Sequence, residues 1–358
     1  MGRIVTQDKL NELTGQSIDY GKGGGYCPYY DLLISRWGNV VKQPNNYRSD
    51  QLVKEEDIVV NTDLFLIITE TGSLYFAGGG TYAQVPAIDG HEVFIYIAGE
   101  GEAVGVLSIT GELYVMNQST KQWELKYKDT ARSYNYAHLA RFSTGWVFCK
   151  GARGDGKSYI IIVYDNGTTK ELSVVGNVYS ISTGPFNFCC VGSLYQGGAR
   201  IYTFFVGSVP NSLTYYTPGM FSPNAVIQGN YRGPRGVVYC TTSNYTCFSN
   251  NPQGTQWTAA TTRPQLTSLT KGLHAYNEFV LVGGNMKSVS KDGGDNWITS
   301  TLGEYALTDL IYVNSNYYAI GMNGTKRFLL QNTASTFDQS NKILDLPDYS
   351  RQVIKINV

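Results

Sequence analysis

The sequence predicts an all-β fold, a β-propeller of seven blades preceded by an extended N-terminal arm, and three observations carry that expectation. Short runs rich in Val, Ile, Tyr and Phe recur at a steady interval from residue 57 onward, and branched and aromatic side chains favour strands. The 40 glycines supply the turns that so many short strands need. Charged residues make up 16% of the chain against about 25% in typical globular proteins. With 42% apolar residues the chain has material for a large core and few helices.

The units follow in order. DLFLIITETGSLYFAG begins at Asp63, VFIYIAGEGEAVGVLSITGELYVMN at Val93, and LARFSTGWVFCKG with SYIIIVYDNGTTKEL runs from Leu139. NVYSISTGPFNFCCVGSLYQGGARIYTFFVG, GVVYCTTSNYTCFSNNPQGTQWTA, NEFVLVGGNMKSVSKDGGDNWITS and DLIYVNSNYYAIGMNGTKRFLLQN complete the series. About seven units over about 300 residues give a period near ~43, within the propeller range. Alternating apolar positions and frequent glycines exclude helical solenoids of similar period. Asp57–Val60 and Gln352–Val358 are strand candidates near the two ends, expected in adjacent or shared blades so that the ring closes without an open edge.

Two units carry a sharper turn. Ser290, Asp292, Gly294 and Trp297 fit S-x-D-x-G-x-x-W, and Ser249, Gly254 and Trp257 form a degraded copy. A short carboxylate can accept backbone N–H groups in such a turn, glycine takes a backbone conformation other residues avoid, and the indole buries against the hairpin. The pattern resembles the Asp-box of sialidase-type propellers, which implies fold rather than activity. TETGSLYF at residues 69–76 and SITGELYV at 108–115 repeat a second turn. That pair resembles the strand turns of regulator-of-chromosome-condensation propellers.

Residues 1–56 differ from the rest. A short possible helix at Gln7–Leu13 leads into the glycine run Gly21–Gly25 and then a tyrosine-rich polar stretch. Glycine runs order only at an entropic cost, so this segment reads as a docking arm, with the propeller at 57–358. Cys27, Pro28, Tyr30 and Leu33 beside Tyr26, then Tyr47, Gln51, Leu52, Val53, Asp57 and Ile58, form C-P-x-Y-x-x-L followed by Y-x-x-x-Q-L-V-x-x-x-D-I. This resembles a segment of virion proteins from Bacteroides-infecting tailed phages, including crAss-like phages. The resemblance implies a tail-associated virion component, made in the bacterial host cytoplasm and present in multiple symmetric copies. Its partners would be other tail or portal-vertex proteins and, for a receptor-binding variant, a host-surface glycan.

Other functions have weaker support. With 28 basic and 28 acidic residues there is no net field to hold nucleic acid. The apolar runs fall far short of the roughly 20 residues of a spanning helix, and MGRIVTQDKLNELTG lacks a secretory core. Six cysteines form no C-x-x-C pair and three histidines are scattered, so no metal or cofactor is expected. Cys240 and Cys247, flanking a turn-like stretch, are the one pair worth testing as a bridge. Gly151–Ser158 matches G-x-x-x-x-G-K-S literally, yet SYIIIVYDNG continues as a strand, and a phosphate loop opens a helix. No Ser–His–Asp arrangement is legible, and the clustered arginines of a sialidase are missing, so no catalytic residues are assigned. The expected function is a non-enzymatic virion structural protein, with a glycan-binding propeller and then a sialidase-like hydrolase as alternatives.

Overall fold

The computed structural model describes residues 63–356 apart from short internal segments, the longest being 206–212, 217–226 and 249–256. The strands in chain order are β1 (Leu64–Thr69), β2 (Leu74–Gly78), β3 (Thr81–Gln84), β4 (Phe94–Glu100), β5 (Ala103–Ser108), β6 (Glu112–Met116) and β7 (Trp123–Lys128). Next come β8 (Tyr136–Phe142), β9 (Gly145–Lys150), β10 (Lys157–Tyr164), β11 (Thr169–Val175), β12 (Asn177–Thr183), β13 (Asn187–Ser193), β14 (Ala199–Phe205) and β15 (Leu213–Tyr216). The chain continues through β16 (Ile227–Arg232), β17 (Gly236–Cys240), β18 (Tyr245–Phe248), β19 (Thr258–Ala259), β20 (Lys271–Ala275), β21 (Glu278–Gly283), β22 (Met286–Ser290) and β23 (Ile298–Thr301). It ends with β24 (Ala306–Val313), β25 (Asn316–Asn323), β26 (Lys326–Asn332), β27 (Lys342–Leu346) and β28 (Ser350–Ile356).

These strands pair antiparallel into seven four-stranded sheets, six of them built from consecutive strands in up-and-down order. The remaining sheet runs β28-β1-β2-β3, so the last strand of the chain sits beside the first described one. The first strands of the six sheets, with β28, neighbour one another in a closed circuit β28, β4, β8, β12, β16, β20, β24 and back. The architecture is an all-β propeller. Closure by β28 registers Leu64 against Ile356 and Ile67 against Val353. Asp57–Val60 and the whole arm, including Tyr26, Cys27, Pro28, Tyr30, Leu33, Tyr47, Gln51 and Leu52, lie outside the described residues.

Each sheet is sandwiched between two others, which explains why inner strands read as continuous apolar runs rather than clean alternations. In β1, Phe65 and Ile67 pack with Tyr318, Ile320 and Leu329 of the sheet on one side. Leu66 and Ile68 pack with Val104, Val106 and Tyr114 on the other. All six residues of β1 are buried. At about 1.5–3 kcal/mol per buried large aliphatic side chain, such blade-to-blade faces dominate the stability. The adjacent Tyr317 and Tyr318 divide in the same way, one ring into each interface.

The repeated Thr-Gly turns have a common physical basis. Gly72 and Gly111 both adopt φ of +88°, the left-handed region that favours glycine. A Cβ on Gly72 would lie 2.5 Å from the Phe94 carbonyl oxygen, and one on Gly111 would lie 2.2 Å from the Tyr136 ring. Each turn therefore inserts against the following sheet. In the second, Ser108 Oγ donates to Glu112 Oε2 at 2.5 Å and receives the Glu112 backbone N–H at 3.0 Å.

Two expectations meet specific geometry. Cys240 is registered opposite Tyr245 and Cys247 opposite Val238, so the cysteines are diagonal rather than facing. Diagonal positions lie about 7–8 Å apart, farther than a disulfide usually spans, and the Cys240 side chain lies outside the described residues. Lys157 and Ser158 begin β10, which pairs antiparallel with β9, so the G-x-x-x-x-G-K-S match opens a strand and not a helix.

Candidate functional site

Six of the seven inner strands share a local irregularity, β20 being the regular one. The pairing register skips a residue at Ile95 in β4, at His138 and Leu139 in β8, at Tyr179 in β12, at Gln228 in β16, at Thr308 in β24 and at Arg351 in β28. Each skip falls at the second to fourth residue of its strand. A β-bulge leaves one residue unpaired, bends the strand and re-aims the following side chain. Because the bulges sit at matching heights, Tyr96, Ser180, Asp309 and Gln352 each become the first paired residue after one. His138, itself a bulge residue, takes φ of +59°, uncommon for a side-chain-bearing residue.

These residues line a central cavity of about 720 Å³, together with Lys271 at the start of β20. The volume lies in the range of about 300–1,000 Å³ typical of small-molecule sites. Asp309 is buried and is the one carboxylate among the described lining residues. Its Oδ2 accepts the Val353 backbone N–H at 2.8 Å, and its Oδ1 lies 2.9 Å from Lys271 Nζ. Arg351 donates through Nε to the Thr69 carbonyl at 3.1 Å and through Nη2 to the Ile95 carbonyl, and its guanidinium lies over the Tyr96 ring. Gln352 Oε1 is buried with no hydrogen-bond partner among the described residues.

Burial depresses the His138 pKa to about 4, so its imidazole is neutral at pH 7, with one ring nitrogen donating and the other accepting. Burial also lowers His274, with Glu278 acting against it. Burial raises the Tyr96 hydroxyl, opposed by Arg351 and Lys271, and the Tyr stays protonated. Ile97, Ile181, Leu273 and Ile311 supply apolar surface between the polar groups.

The site residues expected from sequence lie elsewhere. The turn from Ser290 to Trp297 joins the third and fourth strands of its sheet, two strands out from the cavity wall. There Asp292 Oδ1 accepts from Ser290 Oγ at 2.8 Å and from the backbone N–H of Asp295 and Asn296 at 3.2 and 3.0 Å. Ser290 Oγ accepts the Gly294 N–H at 2.8 Å, and the buried Trp297 donates Nε1–H to the Gly294 carbonyl at 2.8 Å. Burial opposes ionisation of Asp292, but these bonds outweigh it and hold the carboxyl below the usual range. Trp257 is buried immediately before β19, while Ser249 and Gly254 lie outside the described residues.

Sequence reading missed Tyr96, Lys271, Asp309 and Gln352, and treated His138 as a scattered histidine. The bulges that gather them are single extra residues in strands already apolar on both faces, which leaves no break in the hydrophobic pattern.

No family model matches the chain, and no curated protein matches it. Solved structures do. A putative 6-phosphogluconolactonase from Bacteroides uniformis aligns with a TM-score of 0.58 at 11% identity, covering 82% of this chain and 100% of that one. YCF48 bound to D1 peptide aligns with a TM-score of 0.51 at 12% identity, covering 74% and 88%. The computationally designed Ika8 protein aligns with a TM-score of 0.51 at 14% identity, covering 82% and 93%. At these identities the likeness concerns the propeller fold, which hosts many unrelated functions.

Proposed function

We propose that this chain is a non-enzymatic assembly protein: a seven-bladed propeller, one blade per four-stranded sheet, carried on a docking arm at residues 1–56. The observation that supports a non-enzymatic role is the commitment of Asp309. Its Oδ2 accepts the Val353 N–H and its Oδ1 faces the Lys271 ammonium, which ties the one carboxylate among the described lining residues into the closure of the ring, a structural use.

The setting we propose is the tail of a tailed-phage virion, in multiple symmetric copies. It rests on the resemblance carried by Cys27, Pro28, Tyr30, Leu33, Tyr47, Gln51 and Leu52. Tyrosines anchor interfaces well because they bring large area with few rotatable bonds, so Tyr26, Tyr30 and Tyr47 are the arm's proposed contacts with a neighbouring tail or portal-vertex protein. We also assign the Ser290–Trp297 turn as an Asp-box, a structural device that fixes an outer hairpin.

The test is a cryo-electron microscopy reconstruction of particles purified from the natural source. The proposal expects propeller-shaped density with residues 1–56 running onto a neighbouring protein. A chain missing from every particle, whose arm packs on its own body in solution, would overturn it.

A further inference from the structure

The chain holds two Asn-Gly steps, Asn166-Gly167 and Asn323-Gly324, each followed by a threonine. Asn-Gly is the step most prone to spontaneous deamidation, because glycine has no side chain to obstruct attack by its own backbone nitrogen on the asparagine amide. Both steps occupy exposed hairpin tips, one between β10 and β11 and the other between β25 and β26. A Cβ placed on Gly167 or Gly324 would meet nothing within 4 Å, so neither tip is crowded. Local sequence gives the two sites equal reactivity, and the fold separates them.

At the first tip the reacting groups are committed. Asn166 Oδ1 accepts the Thr168 backbone N–H at 3.0 Å and the Thr168 hydroxyl at 2.7 Å. The Gly167 N–H, on the nitrogen that would attack, donates to the Tyr164 carbonyl at 2.9 Å. Cyclisation there has to disrupt these bonds. At the second tip neither the Asn323 side chain nor the Gly324 N–H has a hydrogen-bond partner among the described residues. The bonds that hold this tip lie after the reacting pair: the Gly324 carbonyl accepts from Arg327 Nη1 at 2.7 Å, and the Thr325 carbonyl from the Tyr349 N–H at 3.4 Å. Asn323 is the last residue of β25, registered against Lys326, so its rotation out of the strand disturbs the terminal pair of the hairpin.

We propose that Asn323 is a site of spontaneous deamidation in the folded protein, with Asn166 protected. The Gly324 backbone nitrogen, having given up its proton, attacks Asn323 Cγ. The N–Cγ bond forms, the Cγ–Nδ2 bond breaks, and the leaving nitrogen takes up that proton and departs as ammonia. Water then opens the succinimide ring at Cγ to give aspartate, or at the backbone carbonyl carbon to give isoaspartate, whose main chain runs through the former side chain. Either product puts a new carboxylate on the hairpin whose tip touches the loop entering β28, and isoaspartate adds a methylene to the turn itself. Neither the arm nor its setting bears on this chemistry.

The test is to hold the full-length protein in mildly alkaline buffer at physiological temperature and sample it over weeks. Peptide mass spectrometry with electron-transfer fragmentation then follows both sites and tells isoaspartate from aspartate. Conversion at Asn323 should run about tenfold faster than at Asn166, the factor for roughly one net hydrogen bond. The same chain unfolded in guanidinium should convert the two sites at similar rates, since each is Asn-Gly-Thr. Equal conversion in the folded protein, faster conversion at Asn166, an unreactive Asn323 beside a reactive unfolded chain, or a gap that persists in guanidinium would overturn the proposal.

Discussion

Asp309 on β24 accepts the backbone N–H of Val353 on β28 at 2.8 Å, across 44 residues of sequence, and so joins the last full sheet to the strand that closes the ring. The bond is placed by the bulge at Thr308, which turns the Asp309 side chain toward the neighbouring inner strand. A buried carboxylate in this position holds two partners, and removing it orphans both.

Asp309→Ala should therefore destabilise the protein by about 1–3 kcal/mol, the cost of leaving the Val353 N–H without its acceptor, while the part-exposed Lys271 ammonium turns to water. Asp309→Asn keeps an acceptor for the Val353 N–H and should lose less than half as much. Urea unfolding of both variants measures the difference. Equal losses would mean that packing, and not the pairing, accounts for the effect.

Ring closure makes the C-terminus essential. Removing residues 351–358 deletes nearly all of β28, unpairs β1 and opens the circuit of inner strands. The truncated chain should be insoluble or should melt without cooperativity, because β1 would present an apolar unpaired edge. A soluble, cooperatively melting truncate would count against this closure.

The Ser290–Trp297 turn should act as a local stabiliser. Asp292→Ala leaves the N–H groups of Asp295 and Asn296 without their acceptor and should cost about 1–2 kcal/mol. Trp297→Ala empties a buried site and should cost about 3–5 kcal/mol. Calorimetric melting of the two variants checks both values.

Acid should weaken the fold through His138. Its pKa is about 4 in the folded protein against an ordinary 6.5, so between these values the unfolded chain binds more protons than the folded one. Stability is therefore full above about pH 6.5 and is lost as pH falls toward about 4, by on the order of 1–2 kcal/mol at pH 5. His274, also lowered by burial, adds to the same trend. A His138→Gln variant should melt with a visibly flatter dependence between pH 7 and pH 5. A slope identical to that of the parent would assign the effect to other groups.

Features set by neighbours along the chain were legible in the sequence. Gly72 and Gly111 mark turns because the left-handed backbone and the approach of the next sheet both exclude a Cβ there. Ser290, Asp292, Gly294 and Trp297 form their turn through bonds spanning at most four residues. Runs rich in branched and aromatic residues such as Leu64–Thr69 announced strands, while burial of both their faces came from the flanking sheets. Tertiary structure alone decided which residues meet at the centre. Lys271, Asp309 and Gln352 come from three different sheets, and each reaches the cavity because the ring aligns strand starts. In all but Lys271's strand a bulge then shifts the side-chain phase. A one-residue bulge leaves the hydrophobic pattern nearly unchanged while reversing the face every later side chain occupies, which is why local sequence specified the blades and long-range packing specified the site.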